Sequence, residues 1–454
     1  MTIDSTAVPH SPEDSAMPPG SAEILRRMEV LYPEIIDLEL SRVERLLEAL
    51  GRPQDKLPSV IHVAGTNGKG SFIAFLRAIL EASGAVVHTF TSPHLVSFHE
   101  RISLGGAEGT EAISEVQLVE LLSRVERANG DAPITFFEIT TAAAFLAYAE
   151  HKGDFLLLET GLGGRLDATN VVAKPALTAI MPVSLDHAHY LGNSVAAIAG
   201  EKAGILKKGA PCILARQDAE ALAVFEEHAE ALDAPLISAG REWDVYEQHG
   251  RLVFQTGDSL LDLPLPRLLG RHQIDNAGAA IAAAHALIGN RASESIIAQG
   301  LSNARWPARL QRMCKGSLRA FVHEGTEILL DGGHNPSAAE TLALSMADLE
   351  DQLPRPLHLI CGMMENKDAA GFFAPFKGLA ECVICVPVPG SDRGYEEGAL
   401  SEYAAAQGLK VISAACVSDA LALSAAHSKG PVRLLICGSL YLAGHVLDIN
   451  GTRP

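Results

Sequence analysis

Twice along this chain, short apolar runs alternate with longer segments of helical periodicity, and this repeated alternation constrains the fold more than any other feature. Such a pattern builds helices in layers around a mostly parallel sheet. The first series contains "SVIHVAG", "AVVHTFTS", "DFLLLETG", "PALTAIMPVS" and "APCILAR", with helical segments such as "TTAAAFLAYAEH" between strands. Phe72, Ile73, Phe75, Leu76, Ile79 and Leu80 also recur at helical spacing, and Gly84 is placed to cap that helix. A second series runs from "TEILLDGG" through "PLHLICGMM", "ECVICVPVP", "LKVISAA" and "PVRLLICGSL". Between them, "REWDVYEQHGRLVFQTGDSLLDLPLP" breaks the alternation; its short polar and aromatic runs with turn signals predict a small antiparallel appendage, followed by a long Ala-rich helix in "NAGAAIAAAHALIG". The expected fold class is α/β with two doubly wound domains, the second Rossmann-like. A mobile tail is expected over 1–20, the first domain over 21–310 and the second over 311–454, with the junction near "RWPARLQ".

A chain of 454 residues is too long for one ordinary core, which agrees with two domains and a cleft between them. No apolar run approaches the roughly 20 residues of a membrane-spanning helix. The first residues lack the basic start and apolar centre of a secretory signal, so a cytoplasmic location is expected. A formal charge of −19 argues against nucleic acid as a partner, and anionic ligands would need local cations. Seven scattered cysteines form no disulfide framework and fit a reducing compartment. Cys382 and Cys385 have CxxC spacing but sit inside a strand-like apolar run with no second pair or nearby His, so core packing is expected rather than metal or redox chemistry.

The stretch "HVAGTNGKGS", residues 62–71, joins the first strand to the first helix of the alternating series. The Walker A spelling places Ser or Thr directly after Lys; here Gly70 intervenes, and Val63 occupies the place of the first Gly. Thr66, Asn67, Gly68, Lys69, Gly70 and Ser71 would still form a Gly-rich turn at a helix N-terminus. Backbone N–H groups would face phosphates, with Lys69 as a point charge and the Ser71 hydroxyl near a cation. A plain strand-to-helix turn is the alternative, but turns do not require Lys beside three glycines.

"GTNGKGS" resembles the ATP loop of the Mur ligase superfamily, and within it the folylpolyglutamate synthases, often bifunctional with dihydrofolate synthase. The resemblance continues through "TSPHL", "ETGLGGRLDATN", "LDHAHYLG", "GEKAGILK", "HQIDNA", "RWPARLQ", "LDGGHNP", "GMMENKD" and "CGSLYLAGHV", in the family's order, over roughly residues 40 to 450. It implies a P-loop-type ATPase domain followed by a glutamate-ligase domain. It also implies a reaction in which a carboxylate attacks the γ-phosphate of ATP and the resulting acyl phosphate is displaced by the glutamate amine, helped by two Mg2+ ions and fixed cations. By the same resemblance Ser92, Glu159 and His187 hold magnesium, and Lys202 matches a lysine that relatives carry as a carbamate, an anionic oxygen ligand that requires a neutral amine. Asn276 and Arg309 match ATP contacts; Asp331 and His334 lie near the nucleotide and the glutamate side, and Ser439 is a candidate for glutamate binding. Catalytic roles fall on Lys69, Lys202, His334 and Asp331. Residue by residue, plainer readings stay open: a satisfied turn His for His187, a surface helix lysine for Lys202, a turn residue for Ser439. Without the family, "DHAHY" reads as half of a zinc hydrolase site and "ETGLGG" as a nucleotide loop; the first lacks a third ligand, and Leu166 occupies the place of the second's last Gly.

For the carboxylate, Asp167 maps to an acidic residue that binds the pterin in bifunctional bacterial relatives, and Thr135 and Phe137 map to the same pocket. The alternatives are a helix cap for Asp167 and ordinary core for Phe137. These matches favour a ligase adding L-glutamate to 7,8-dihydropteroate and to reduced folates. The other readings are a folylpolyglutamate synthase only, another Mur-type amide ligase, a nucleotide-binding switch without ligation, and a hydrolase. A monomer with only small-molecule substrates is expected. One departure stands out: the connection "QRMCKGSLRAFVHEGTEILL" from Arg309 to Asp331 spans 20 residues, longer than in relatives, and reads as a hairpin near the hinge.

Overall fold

The computed structural model describes residues 20–31, 38–391 and 393–452; residues 1–19 of the expected tail lie outside them. The first of three sheets among the described residues contains β1 (Ser59–Ala64), β2 (Val87–Phe90), β3 (Ile102–Gly106), β4 (Gly109–Ala112), β5 (Phe155–Glu159), β6 (Leu177–Ile180), β7 (Cys212–Leu214) and β8 (Leu236–Ser238), in the order β4-β3-β2-β5-β1-β6-β7-β8. Strands β2, β5, β1, β6, β7 and β8 run parallel, and β3 and β4 fold back antiparallel at one edge. β1 is central because both of its faces are apolar: Ile61 and Val63 enter one core layer and Val60 the opposite one. The helix Lys69–Ala82 packs on the first layer through Phe72, Phe75, Leu76 and Ile79. It ends as its sequence predicts. Gly84, at φ 88°, donates its N–H to the Glu81 carbonyl while Ala85 reaches back to that of Leu80, the paired bonds of a Schellman cap.

The expected appendage is the antiparallel sheet β9 (Trp243–Gln248), β10 (Arg251–Thr256) and β11 (Leu260–Pro264), with β10 in the middle. Trp243 stacks on Phe254 there. The Ala-rich helix His272–Ile288 lies close against this sheet, and a Cβ on Gly278 would sit 2.4 Å from Val245.

The third sheet contains β12 (Gln311–Arg312), β13 (Glu327–Leu330), β14 (Leu357–Cys361), β15 (Ala380–Cys385), β16 (Val411–Ser413) and β17 (Arg433–Cys437), in the order β12-β13-β17-β14-β15-β16. All pair parallel except β12, which runs antiparallel to β13 at the sheet edge. The long connection after Arg309 is therefore this edge pair, with a short 3-10 turn, Ser317–Phe321, between its strands. Cys382 and Cys385 are both buried, but their odd separation along β15 sends them into opposite core layers, so they cannot meet on one metal ion.

Candidate active site

β1 ends at Ala64 and the chain turns through Gly65 to Gly68 into the helix begun by Lys69. The glycines are there for space as well as conformation. Gly68 has φ 87°, and a Cβ on it would lie 2.6 Å from the Asn276 amide oxygen; a Cβ on Gly70 would lie 2.6 Å from the Trp306 indole. The Gly between Lys69 and Ser71 thus admits an aromatic ring from the linker onto the phosphate-type loop. Thr66 is zipped to the segment after β6, its hydroxyl donating to the Ser184 carbonyl at 3.0 Å and accepting from the Ser184 N–H at 3.1 Å. Lys69 Nζ curls over its own loop, 3.0 Å from the Gly65 carbonyl, and lies 3.8 Å from Glu159 Oε1. Ser71 is buried on the first turn of the helix, and Asn276 is buried on the Ala-rich helix with its amide on Gln273.

Glu159, at the carboxyl end of β5, is buried and accepts the Ser92 N–H at 3.1 Å. Burial raises its pKa against the opposing charges of Lys69 and Arg309. Lys202 is not a surface lysine. It is buried, its Nζ 3.1 Å from the Gly65 carbonyl, and burial reinforced by the Lys69 charge pushes its pKa down to about 7. His187 starts a one-turn helix at φ 52°; burial, then the Lys367 charge, pushes its pKa down to about 4, so it is neutral at pH 7. Among the described residues, no group of three or more His, Cys, Asp and Glu side chains is arranged to hold a metal ion.

A polar network joins the two large sheets' domains. Asn67 of the loop and Asn335 exchange amide hydrogen bonds of 3.2 and 3.1 Å, Asn335 also donates to Asp186 at 3.1 Å, and Lys367 donates to Asp186 at 2.7 Å. Burial alone would raise the Asp186 carboxyl, but Lys367 and its neighbours hold it far below the usual carboxylate range. His334 Nε2 lies 3.8 Å from the same carboxylate, while its Nδ1 is 2.9 Å from the Gly332 carbonyl. Burial and Lys367 push His334 down to about 4, so it is neutral, and the carbonyl fixes the proton on Nδ1. Asp186, Asn335 and Lys367 are residues that sequence reasoning missed. Asp186 and Lys367 lie within the resemblance motifs "LDHAHYLG" and "GMMENKD" but carry no assigned role there; Asn335 carries a local signal, since an Asn before Pro at a helix start is a cap, and its side chain does accept from the Ala338 N–H at 2.9 Å.

Arg309 is presented by a strained linker. Ala308 and Leu310 on either side have φ of 52° and 44°, a region that costs residues with a Cβ about 1–2 kcal/mol. Tertiary bonds impose it: Gly332 N–H to the Ala308 carbonyl at 3.0 Å and Leu310 N–H to Asp331 Oδ2 at 2.8 Å. The other Asp331 oxygen accepts the Gly333 N–H at 2.7 Å, so this buried carboxylate ties linker to strand end. Burial raises its pKa, opposed first by Arg309.

Asp167 is buried at the start of the 3-10 turn Ala168–Val171 and caps it, accepting the Thr169 N–H at 3.0 Å and, through its other oxygen, the Leu162 N–H at 2.8 Å. Burial raises its pKa. Phe137 presses on the same 161–162 turn, since a Cβ on Gly161 would lie 2.4 Å from its ring. Thr135 caps the helix Phe136–Glu150 in a capping box with Glu138. Ser439 caps the helix Leu440–Ile449, accepting the Tyr441 N–H at 3.1 Å. The capping hydroxyls of Thr135 and Ser439 keep a further lone pair for a ligand, whereas Asp167 Oδ1 already accepts both the N–H and the hydroxyl of Thr169.

Comparison with known proteins gives this geometry its class. The Mur ligase middle domain matches residues 63–284, and the Mur ligase glutamate ligase domain matches residues 312–440. The fold and its loop thus define an ATP-dependent ligase of the Mur type. A dihydrofolate synthase/folylpolyglutamate synthase of Escherichia coli (strain K12) is 34% identical over 433 residues, covering 95% of this chain and 96% of that one. Its counterpart in Bacillus subtilis (strain 168) is 40% identical over 322 residues, 68% of this chain and 71% of that one. The structure of E. coli FolC in complex with DHPP and ADP superposes with a TM-score of 0.83 at 32% identity, covering 97% and 99% of the two chains. A bifunctional folylpolyglutamate synthase/dihydrofolate synthase with Mn, AMPPNP and L-glutamate bound gives 0.79 at 30% identity, covering 95% and 98%. The chain belongs to the dihydrofolate synthase/folylpolyglutamate synthase family.

Proposed function

We propose that this chain adds L-glutamate to 7,8-dihydropteroate and to reduced folates, using ATP and magnesium through an acyl-phosphate intermediate. The observation that carries the reading is the convergence on one interdomain cleft of Lys69 with its glycine loop, buried Glu159 and Lys202, and Arg309, His334 and Lys367 from the second half of the chain. The carboxylate and the γ-phosphate are both anions, and this cleft gathers cations around the place where they must meet.

In this reading the loop N–H groups and Lys69 hold the phosphates, with Ser71, Asn276 and Arg309 completing the nucleotide site. Glu159, Ser92 and His187 would hold magnesium, which supplies charge neutralisation and polarisation of the phosphoryl oxygens. The donor set fits: Glu159 is a buried carboxylate destabilised by desolvation, and His187 is neutral with a lone pair. Lys202 as an amine is no ligand, but its lowered pKa supplies the neutral nitrogen that carbamate formation requires, which would add a second anionic oxygen donor. Neutral His334, with Nδ1 committed to Gly332, leaves Nε2 to accept the proton released as the glutamate ammonium becomes a nucleophile. Asp331 positions Arg309 through the linker. Thr135, Phe137 and Asp167 would receive the pterin end and Ser439 the glutamate; a cytoplasmic monomer completes the reading.

One observation favours a narrower folylpolyglutamate synthase: both Asp167 oxygens already accept N–H groups of its own loop, which competes with a pterin for them. ADP release dependent on both glutamate and a folate carboxylate tests the assignment. Lys69→Ala is expected to abolish it with the thermal unfolding midpoint retained, and substantial ligation by that folded variant would overturn the role of the loop.

A further inference from the structure

The long connection after Arg309 does more than close a sheet edge. It builds a cavity of about 390 Å³ on the second domain, lined by Arg312, Arg319 and Arg355 together with Met313, Ile328 and Leu353. Three consecutive residues, Gly325 and Thr326 just before β13 and Glu327 at its start, each accept from one of the three guanidiniums. Arg355 donates through Nη1 to the Gly325 carbonyl, Arg319 through Nη1 to the Thr326 carbonyl at 2.6 Å, and Arg312 through Nε to Glu327 Oε1 at 3.1 Å. Each fork is thus fixed at one nitrogen. A guanidinium carries five N–H donors, so each arginine keeps donors in a fixed plane.

Charge does not balance inside this groove. Its one lining carboxylate, Glu327, is shared: the other oxygen accepts from buried Arg433 at 2.8 Å. Glu350, whose side chain is partly exposed, accepts the Arg355 backbone N–H at 2.8 Å and lies 3.5 Å from Arg433. Three guanidiniums therefore line the groove with one carboxylate, itself shared with Arg433, on a chain whose net charge is −19. Like charges lining one groove are stabilised by an anion that bridges them, and planar forks match the oxygens of phosphate and carboxylate. The buried side chains of Met313 and Ile328 give the floor an apolar character, and the volume suits a small organic anion.

The cavity lies at the amino end of β13, whereas Asp331 follows that strand's carboxyl end, so the groove is distinct from the interdomain cleft. β12 nonetheless starts two residues after Arg309 and pairs with β13, so the same edge pair touches both places. We propose that this arginine groove is a second ligand site, taking a compact oxyanion with at least two negative charges, borne on a phosphate ester or on adjacent carboxylates. This inference stands independently of the ligase assignment.

Cys314 gives a direct probe, because it is exposed and lines the groove, while Cys416 is exposed elsewhere and serves as internal control. Alkylation of both by iodoacetamide would be followed by peptide mass spectrometry on the full chain, with the nucleotide site saturated by magnesium and ADP. Inorganic pyrophosphate and tri-γ-glutamate are the two probes. The expected result is that one of them slows alkylation of Cys314 and leaves Cys416 unchanged; pyrophosphate alone assigns a phosphate source, tri-γ-glutamate alone a carboxylate source. Arg312→Gln, which removes an exposed side chain, should weaken that protection by about tenfold, the loss of one charge-assisted bond. Equal alkylation of Cys314 with and without both probes, or protection unchanged in Arg312→Gln, would overturn the proposal and leave the three arginines as staples of the edge strands.

Discussion

Lys202 carries the sharpest consequence at the scale of single residues. Its pKa is about 7 in the folded chain and returns to the ordinary 10.5 on unfolding. Between those values the unfolded state holds a proton that the folded state has lost, so stability rises with pH across that window and the cost of the buried ammonium is fully present below it. In carbon dioxide-free buffer the wild-type unfolding midpoint should therefore climb as pH rises from about 7 toward 10.5, relative to Lys202→Met, which lacks the group. Parallel pH profiles for the two proteins would show the lysine to be charged and solvated instead. Gly70 makes a second prediction. An added methyl would meet the Trp306 ring at 2.6 Å, so Gly70→Ala should cost about 1–3 kcal/mol through overpacking and weaken nucleotide binding beyond that, measured by chemical denaturation and by ADP titration.

At the scale of elements, the strands and helices follow from what a reader of the sequence sees: β-branched runs buried on both faces, a glycine at a helix end, an odd CxxC separation inside a strand. The phosphate-type loop was equally legible, because strand, glycines and Lys69 are contiguous. What could not be read were contacts between distant segments. Trp306 is spoken for by Gly70, and Lys367 by Asp186 across 181 residues, and no local pattern encodes either pairing. The capping positions were ambiguous for a related reason: Thr135 and Asp167 satisfy helix and turn N–H groups whether or not a ligand also uses them. Thr135→Ala should lower stability by about 1 kcal/mol through loss of the cap, while Thr135→Ser retains it. A dihydropteroate KM that rises in Thr135→Ser at unchanged stability would separate pocket from cap.

Over the whole molecule, the two large domains are held together at the cleft by Asp186, Asn335, Asn67 and Lys367. The Asp186–Lys367 pair is nearly buried, and removing one partner of such a pair typically costs about 3–5 kcal/mol by stranding the other charge. Asp186→Asn should accordingly destabilise the closed arrangement and increase the radius of gyration in small-angle scattering, with Lys367→Met added on top costing less than the sum of the single changes. Strictly additive costs would mean that the two side chains do not act as one latch. The reaction itself is tested by the mass of the product formed from glutamate, ATP and magnesium with dihydropteroate and with a tetrahydrofolate in separate reactions. One added glutamyl unit is expected in both; addition to tetrahydrofolate alone would reassign Thr135, Phe137 and Asp167, and addition to neither would overturn the assignment of this cleft as a folate–glutamate ligase site.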